Sequence, residues 1–197
     1  MGEEAGSPVP GGGPRVESPR GAEPSGFRGK SLFSVAAAAG VALDLWSKAR
    51  AIGFVREVAG EGGQVPILPG FFYLADVENP GGVFGLGQNL STVLAIARGV
   101  ALLVILWFVR GTPRRERLHL FCLALLFAGA LGNLHDNLTN HGRVRDFLDF
   151  YLLPPRRGHF PTFNAADSMI CVGAFLLVAE GLFGARRSST RAPGSRG

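Results

Sequence analysis

The chain has 197 residues, 47% of them hydrophobic and only 18% charged, with a mean hydropathy of +0.23. Soluble domains carry about 25% charged residues, so this composition excludes a disordered protein and argues against an ordinary soluble domain. The formal charge of +5 comes mostly from arginines lying between apolar runs, which suits the flanks of membrane spans better than a nucleic-acid surface.

Residues 1–29 are rich in Gly, Pro, Ser, Glu and Arg and nearly lack large apolar side chains. Such a segment buries too little surface to offset its ordering entropy and is expected to be a disordered cytoplasmic tail. It does not open with a charged start followed at once by an apolar stretch, so no secretory signal is read there. Four apolar runs follow. The first covers about Leu32 to Ile52, with Asp44 and Lys48 near its end. The second is Thr92–Val109, interrupted by Arg98. The third is Leu118–Leu138, with Asn133 and Asp136 near its end. The fourth is Phe163–Gly184, holding Asp167 and Glu180. Runs of roughly 20 residues, rising 1.5 Å each, match a hydrocarbon core about 30 Å thick. Their glycines and alanines suit close packing of membrane helices. No run shows the full polar face of a soluble bundle helix.

The intervening segments cannot span. Residues 53–91 contain the strand-like pieces VPILPGFFYL and VFGL, which predict a small sheet or cradle at the interface. Residues 139–162 hold two charged clusters and three prolines. The fold class expected is therefore an all-α membrane protein: four transmembrane helices with a small β-rich extracytoplasmic cradle. The organisation expected is a tail over 1–29, a transmembrane domain over 30–185 and a basic cytoplasmic tail over 186–197. Four spans place the front tail, the RGTPRRER connection and the C-terminal end on one side. That side carries twelve Lys and Arg against seven on the other, so it is read as cytoplasmic. Cys122 and Cys171 lie inside apolar runs and read as core residues, with no disulfide framework or zinc site.

On this topology Asp44, Lys48, Asn133, Asp136, Asp146, Asp149, Asn164 and Asp167 converge on the outer face. Ionisable groups at such positions are costly and usually functional. Plainer readings stand beside this one. Asp44 and Lys48, four apart, suit an ion pair. Asn164 suits a helix N-cap, with Asp167 favoured in the first turn by the helix dipole. Asp136, Asp146 and Asp149 suit solvated loop charges. Joint placement tips the balance. Two neighbouring carboxylates at an apolar rim cannot both ionise cheaply, so one keeps a proton while the other acts as base, an arrangement that activates water on a peptide bond. Glu180 and Arg98 are read as nearer the inner half, with no role. Other chemistries fit poorly. HExxH is absent. His119, His135, His141 and His159 lack ligand-like spacing, although His135 and Asp136 could join a metal site. Ser47 and Lys48 are adjacent, so on a helix they diverge by about 100°. NPGGVFGLG does not fit a GxGxxG phosphate loop.

Five ordered blocks carry a resemblance: DLWSK at Asp44–Lys48, ENPGGVFGL at Glu78–Leu86, GALGNLHDNL at Gly129–Leu138, GRVRDFLDF at Gly142–Phe150 and FNAADS at Phe163–Ser168. They resemble the D-x-x-[ST]-K, N-x-G-A-x-F-G, G-A-x-G-N-x-x-D-R, G-x-V-x-D-F and F-N-x-A-D-S motifs of the bacterial lipoprotein signal peptidases, or signal peptidase II. The resemblance implies an aspartyl protease of the bacterial inner membrane, active near its outer face. It would cut prolipoproteins just before a lipid-modified cysteine. It implies Asp146 and Asp167 as the catalytic pair, with Asp44, Lys48, Asn79, Asn133, Asp136 and Asn164 shaping the site or holding substrate. No metal or other cofactor is implied. The partners implied are lipid-modified prolipoproteins and membrane lipids, not nucleic acid, and a monomer is expected. Two departures stand out. Asn137 occupies the position of the family's arginine, leaving Arg143 or Arg145 as candidates to replace it, and Gly82 and Val83 alter the second block. A non-catalytic lipoprotein-binding module on the same scaffold is the alternative, opposed by the intact Asp146 and Asp167.

Overall fold

A computed structural model describes residues 2, 28–80, 91–152 and 160–189. The readings placed on most of the N-terminal tail, on VFGL within 81–90 and on the end of the C-terminal tail lie outside the described residues.

Helix α1 (Arg28–Ala59) has 32 residues. It therefore rises about 48 Å, well beyond a hydrocarbon core of about 30 Å. The apolar run stops near Ile52, and the helix continues through Gly53–Ala59, a stretch expected to be loop. Helical hydrogen bonding needs no apolar side chains once the chain has passed the bilayer thickness. Termination comes at Gly60, whose φ of +80° and N–H···O bond of 3.1 Å to Arg56 make a left-handed cap.

The VPILPGFFYL piece folds into a hairpin of β1 (Gln64–Leu68) and β2 (Phe72–Asn79). Pro66 is tolerated because β1 is an edge strand. The third strand, β3 (Val144–Phe150), arises in the region read as a loop, and the sheet is antiparallel in the order β1-β2-β3. The pattern VRDFLDF hides this strand because buried Asp146 and Asp149 stand where a half-buried strand would carry apolar residues.

The remaining helices are α2 (Ser91–Gly111), α3 (Arg117–Thr139) and α4 (Ala165–Ser189), the last running past the expected edge at residue 185. Four stretches are long and apolar enough to cross a membrane: Lys30–Ala59, Ser91–Gly111, Arg117–Thr139 and Ala165–Phe183. Helix α3 is the axis. It packs against α1, α2 and α4, whereas α2 has no comparable contact with α1 or α4. Small residues permit this closeness. A Cβ on Gly40 of α1 would stand 2.7 Å from Ala128 Cβ on α3. Outward faces are apolar and exposed, as at Val93, Ile96, Leu103 and Trp107 of α2 and Phe175 and Val178 of α4.

Candidate active site

A short strap positions the site. Phe163, just before α4, forms an antiparallel bridge with Leu148 of β3, with Leu148 N–H donating to Phe163 O at 2.8 Å and Phe163 N–H to Leu148 O at 3.1 Å. The rings of Phe72, Phe150 and Phe163 stack in sequence, with centroids 4.7 and 5.8 Å apart. The strap lays Asn164 alongside β3 and starts α4 beside Asp146.

Asn164 caps α4. Its Oδ1 accepts the Asp167 N–H at 3.0 Å, and Asp167 Oδ2 accepts the Asn164 N–H at 3.2 Å, a reciprocal capping arrangement. The same side chain donates Nδ2 to Asp146 Oδ1 at 2.6 Å. One asparagine thus links both aspartates, one through its backbone and cap and the other through its amide. The side chain that caps the helix is thus also in contact with Asp146. Asn133 of α3 donates to Asp167 Oδ1 at 2.8 Å, and Asn79 of β2 donates to Asp146 Oδ2 at 3.2 Å.

Beneath the pair lies a buried charge cluster. Lys48 is fully buried and donates to Asp44 at 2.7 Å and Asn133 Oδ1 at 3.1 Å, with Asp136 also at 3.1 Å. Asp44 Oδ1 accepts the Ala166 N–H at 2.9 Å, tying α1 to the first turn of α4. Asp136 Oδ1 accepts from Arg145 Nη2 at 2.6 Å and its Oδ2 from Arg145 N at 3.0 Å. Two cations and two carboxylates therefore balance. This matters because a buried pair that loses one partner typically costs 3–5 kcal/mol.

All eight residues singled out from the sequence meet at this end of the bundle. Asp149, also buried, accepts from Gln64 of β1 and belongs to the sheet's own bonding. The sheet is pinned to α1 by Arg56, which donates to Asp76 at 2.6 Å. Burial works to raise the Asp76 carboxyl, yet the Arg56 and Gly62 donors hold it below the usual carboxylate value. Asp146 goes the other way. It is only 2% exposed, and burial, reinforced by the negative charge of Asp167, pushes its carboxyl up to about 7 against the donors from Asn79 and Asn164.

The arginines around the site each have partners. Arg143 pairs with Glu78 at 3.0 Å and Arg145 with Asp136 at 2.6 Å. Arg98, read as outside the cluster, instead donates to Asn137 Oδ1. Its Cα lies seven residues into α2, about 10 Å along the axis. Its long side chain carries the guanidinium away from that level to Asn137 near the end of α3, so Cα depth alone misplaces the charge. Glu180 does lie apart, paired with His119 at 3.0 Å. His135 is half exposed, 3.9 Å from Asp136, and no group of three potential metal ligands forms among the described residues.

A model of the signal peptidase (SPase) II family matches residues 36–183, most of the chain. The chain belongs to the signal peptidase II family. It is a protease family, and the four apolar helices make this member a multi-pass membrane protein. The lipoprotein signal peptidase of Desulforapulum autotrophicum is 40% identical over 124 residues, covering 60% of this chain and 74% of that one. The lipoprotein signal peptidase of Yersinia pestis (strain Pestoides F) is 42% identical over 122 residues, covering 59% and 69%. Two solved bacterial membrane enzymes share the fold. One gives a TM-score of 0.67 at 24% identity over 87% of this chain and 96% of its own. The other gives 0.65 at 26% identity over 79% and 94%. Four of the five sequence blocks, together with Glu78 and Asn79 of the remaining one, meet at the sheet end.

Proposed function

We propose that this chain is a membrane-embedded aspartic endopeptidase that removes signal peptides from diacylglyceryl-modified prolipoproteins, cutting before the lipidated cysteine. The observation that carries the aspartic assignment is the linkage of Asp146 and Asp167 through Asn164, with the Asp146 carboxyl raised to about 7. Family membership and the lipoprotein signal peptidase relatives support the substrate.

In the mechanism, one proton is shared between the two carboxyls. Below about pH 7 the buried Asp146 holds it, and Asp167 acts as base. Asp167 takes a proton from water as the water attacks the scissile carbonyl, while Asp146 donates its proton to the carbonyl oxygen. The tetrahedral intermediate then collapses as a proton passes to the leaving amine, and the carboxyl pair is restored. Asn79, Asn133 and Asn164 hold both acids in register, and Lys48, Asp44, Asp136 and Arg145 keep the supporting helices and β3 locked around them. The substrate's signal segment enters sideways from lipid between α2 and the rest of the bundle, where α2 packs chiefly on α3. The unit doing this is taken as residues 30–185, flanked by the tails 1–29 and 186–197. The arginine bias supports a bacterial inner-membrane protein with the sheet end outside.

The test is cleavage of a diacylglyceryl-modified model prolipoprotein by the purified protein in lipid. The product is expected to begin at the lipidated cysteine, and the same peptide without lipid is expected to remain uncut. Cleavage at another bond, or none, overturns the reading.

A further inference from the structure

Arg98 is a charged side chain two turns into an apolar span, a position that is costly unless the guanidinium is used. Its anchor is well defined. Asn137 donates Nδ2 to Gly142 O at 2.7 Å, and a carbonyl can only accept, so the amide is oriented with Oδ1 facing Arg98. Asn137 lies one turn beyond Asn133, whose own amide holds Asp167. Arg98 is therefore anchored one helical turn from the amide that holds Asp167. No ion pair joins it to a carboxylate among the described residues, yet Asp167, Asp146 and Asp136 all lie within electrostatic reach. Asn137 accepts from one of the guanidinium's several N–H donors, and the helix that carries Arg98 packs chiefly on α3.

Resting on the peptidase reading above, we propose that Arg98 is a substrate-binding residue: anchored by Asn137, its guanidinium holds carbonyl oxygens of the lipid-modified segment beside the scissile bond. A guanidinium suits this because it presents several donors in one plane and stays charged in an apolar setting. The oxygens belong either to the peptide backbone or to the ester groups of the diacylglyceryl moiety, and the chemistry of capture is the same. Asn137 acts as the positioning residue. The pair is a division of labour between helices, with the cation on α2 and the amide that aims it on α3.

The full-length protein in lipid tests this with two model prolipoproteins, one carrying an ester-linked diacylglyceryl cysteine and one an ether-linked dialkylglyceryl cysteine. Arg98→Gln is expected to raise KM for the ester substrate by tenfold or more, with a smaller change in kcat, and Arg98→Lys to raise it less. The exchange of Arg98→Asn with Asn137→Arg returns the guanidinium to the same pair from the opposite helix and should bring KM back to within about threefold. It serves also where Arg98→Gln fails to fold. An Arg98→Gln effect that vanishes with the ether substrate assigns the ester oxygens, and an equal effect on both assigns the backbone. A folded Arg98→Gln protein with wild-type KM for both substrates overturns the proposal. Direct binding of the ester substrate, measured in parallel, must weaken with Arg98→Gln whichever residues perform the chemistry. Failure of the aspartate reading would show separately, as cleavage that survives loss of Asp146 or Asp167.

Discussion

Asp146 sits in β3 with its carboxylate almost fully covered, and a charge held there is costly. Its carboxyl titrates near 7 in the folded protein against 3.8 for the free group. Between those values the native state binds the proton and the unfolded state does not. Stability therefore falls as pH rises from about 4 to about 7, and below that window the penalty is absent. Asp146→Asn removes the titration. The melting temperature of the wild type is expected to drop across this window by more than that of Asp146→Asn, so that the variant is the relatively more stable protein at alkaline pH. Parallel curves for the two proteins would contradict the buried, proton-holding Asp146.

At the level of elements, the axis helix α3 and its neighbour α1 touch at a point where no extra methyl fits. A Cβ on Gly132 would be driven into the carboxylate of Asp44, the group that holds both Lys48 and the Ala166 N–H. Gly132→Ala is expected to cost about 1–3 kcal/mol through overpacking and to reduce cleavage at least tenfold, because the displaced Asp44 loosens α4 beside Asp167. Gly99→Ala on α2, where nothing lies within 4 Å, should leave both unchanged. Thermal unfolding and turnover of the two variants, side by side, check this. The helices themselves are legible in the chain because a span must be apolar over its whole length. The end of α1 beyond Ile52 is not, because that rule lapses outside the bilayer and Arg56 and Glu57 read as loop. Strand β3 is not legible for the opposite reason: its inward acids replace the apolar residues that would announce a strand.

For the molecule as a whole, the candidate site was readable because its residues stand in short ordered blocks that resemble one family's motifs, from DLWSK to FNAADS. The Arg98–Asn137 contact was not, since it joins residues 39 apart on two different helices through a long side chain. What the fold adds is convergence. Helix α1 supplies Asp44 and Lys48, β2 supplies Asn79, α3 supplies Asn133 and Asp136, β3 supplies Asp146, and the strap into α4 supplies Asn164 and Asp167. The measurement that bears most directly on this account is cleavage by Asp146→Asn, Asp167→Asn and the double variant, each first shown to be folded in lipid. Because the two acids share one proton, each single change should abolish cleavage of the diacylglyceryl-modified substrate, and the double variant should be little worse than either. A folded single variant that keeps more than about a few per cent of wild-type turnover, a loss of less than roughly 2 kcal/mol of barrier lowering, would contradict the account.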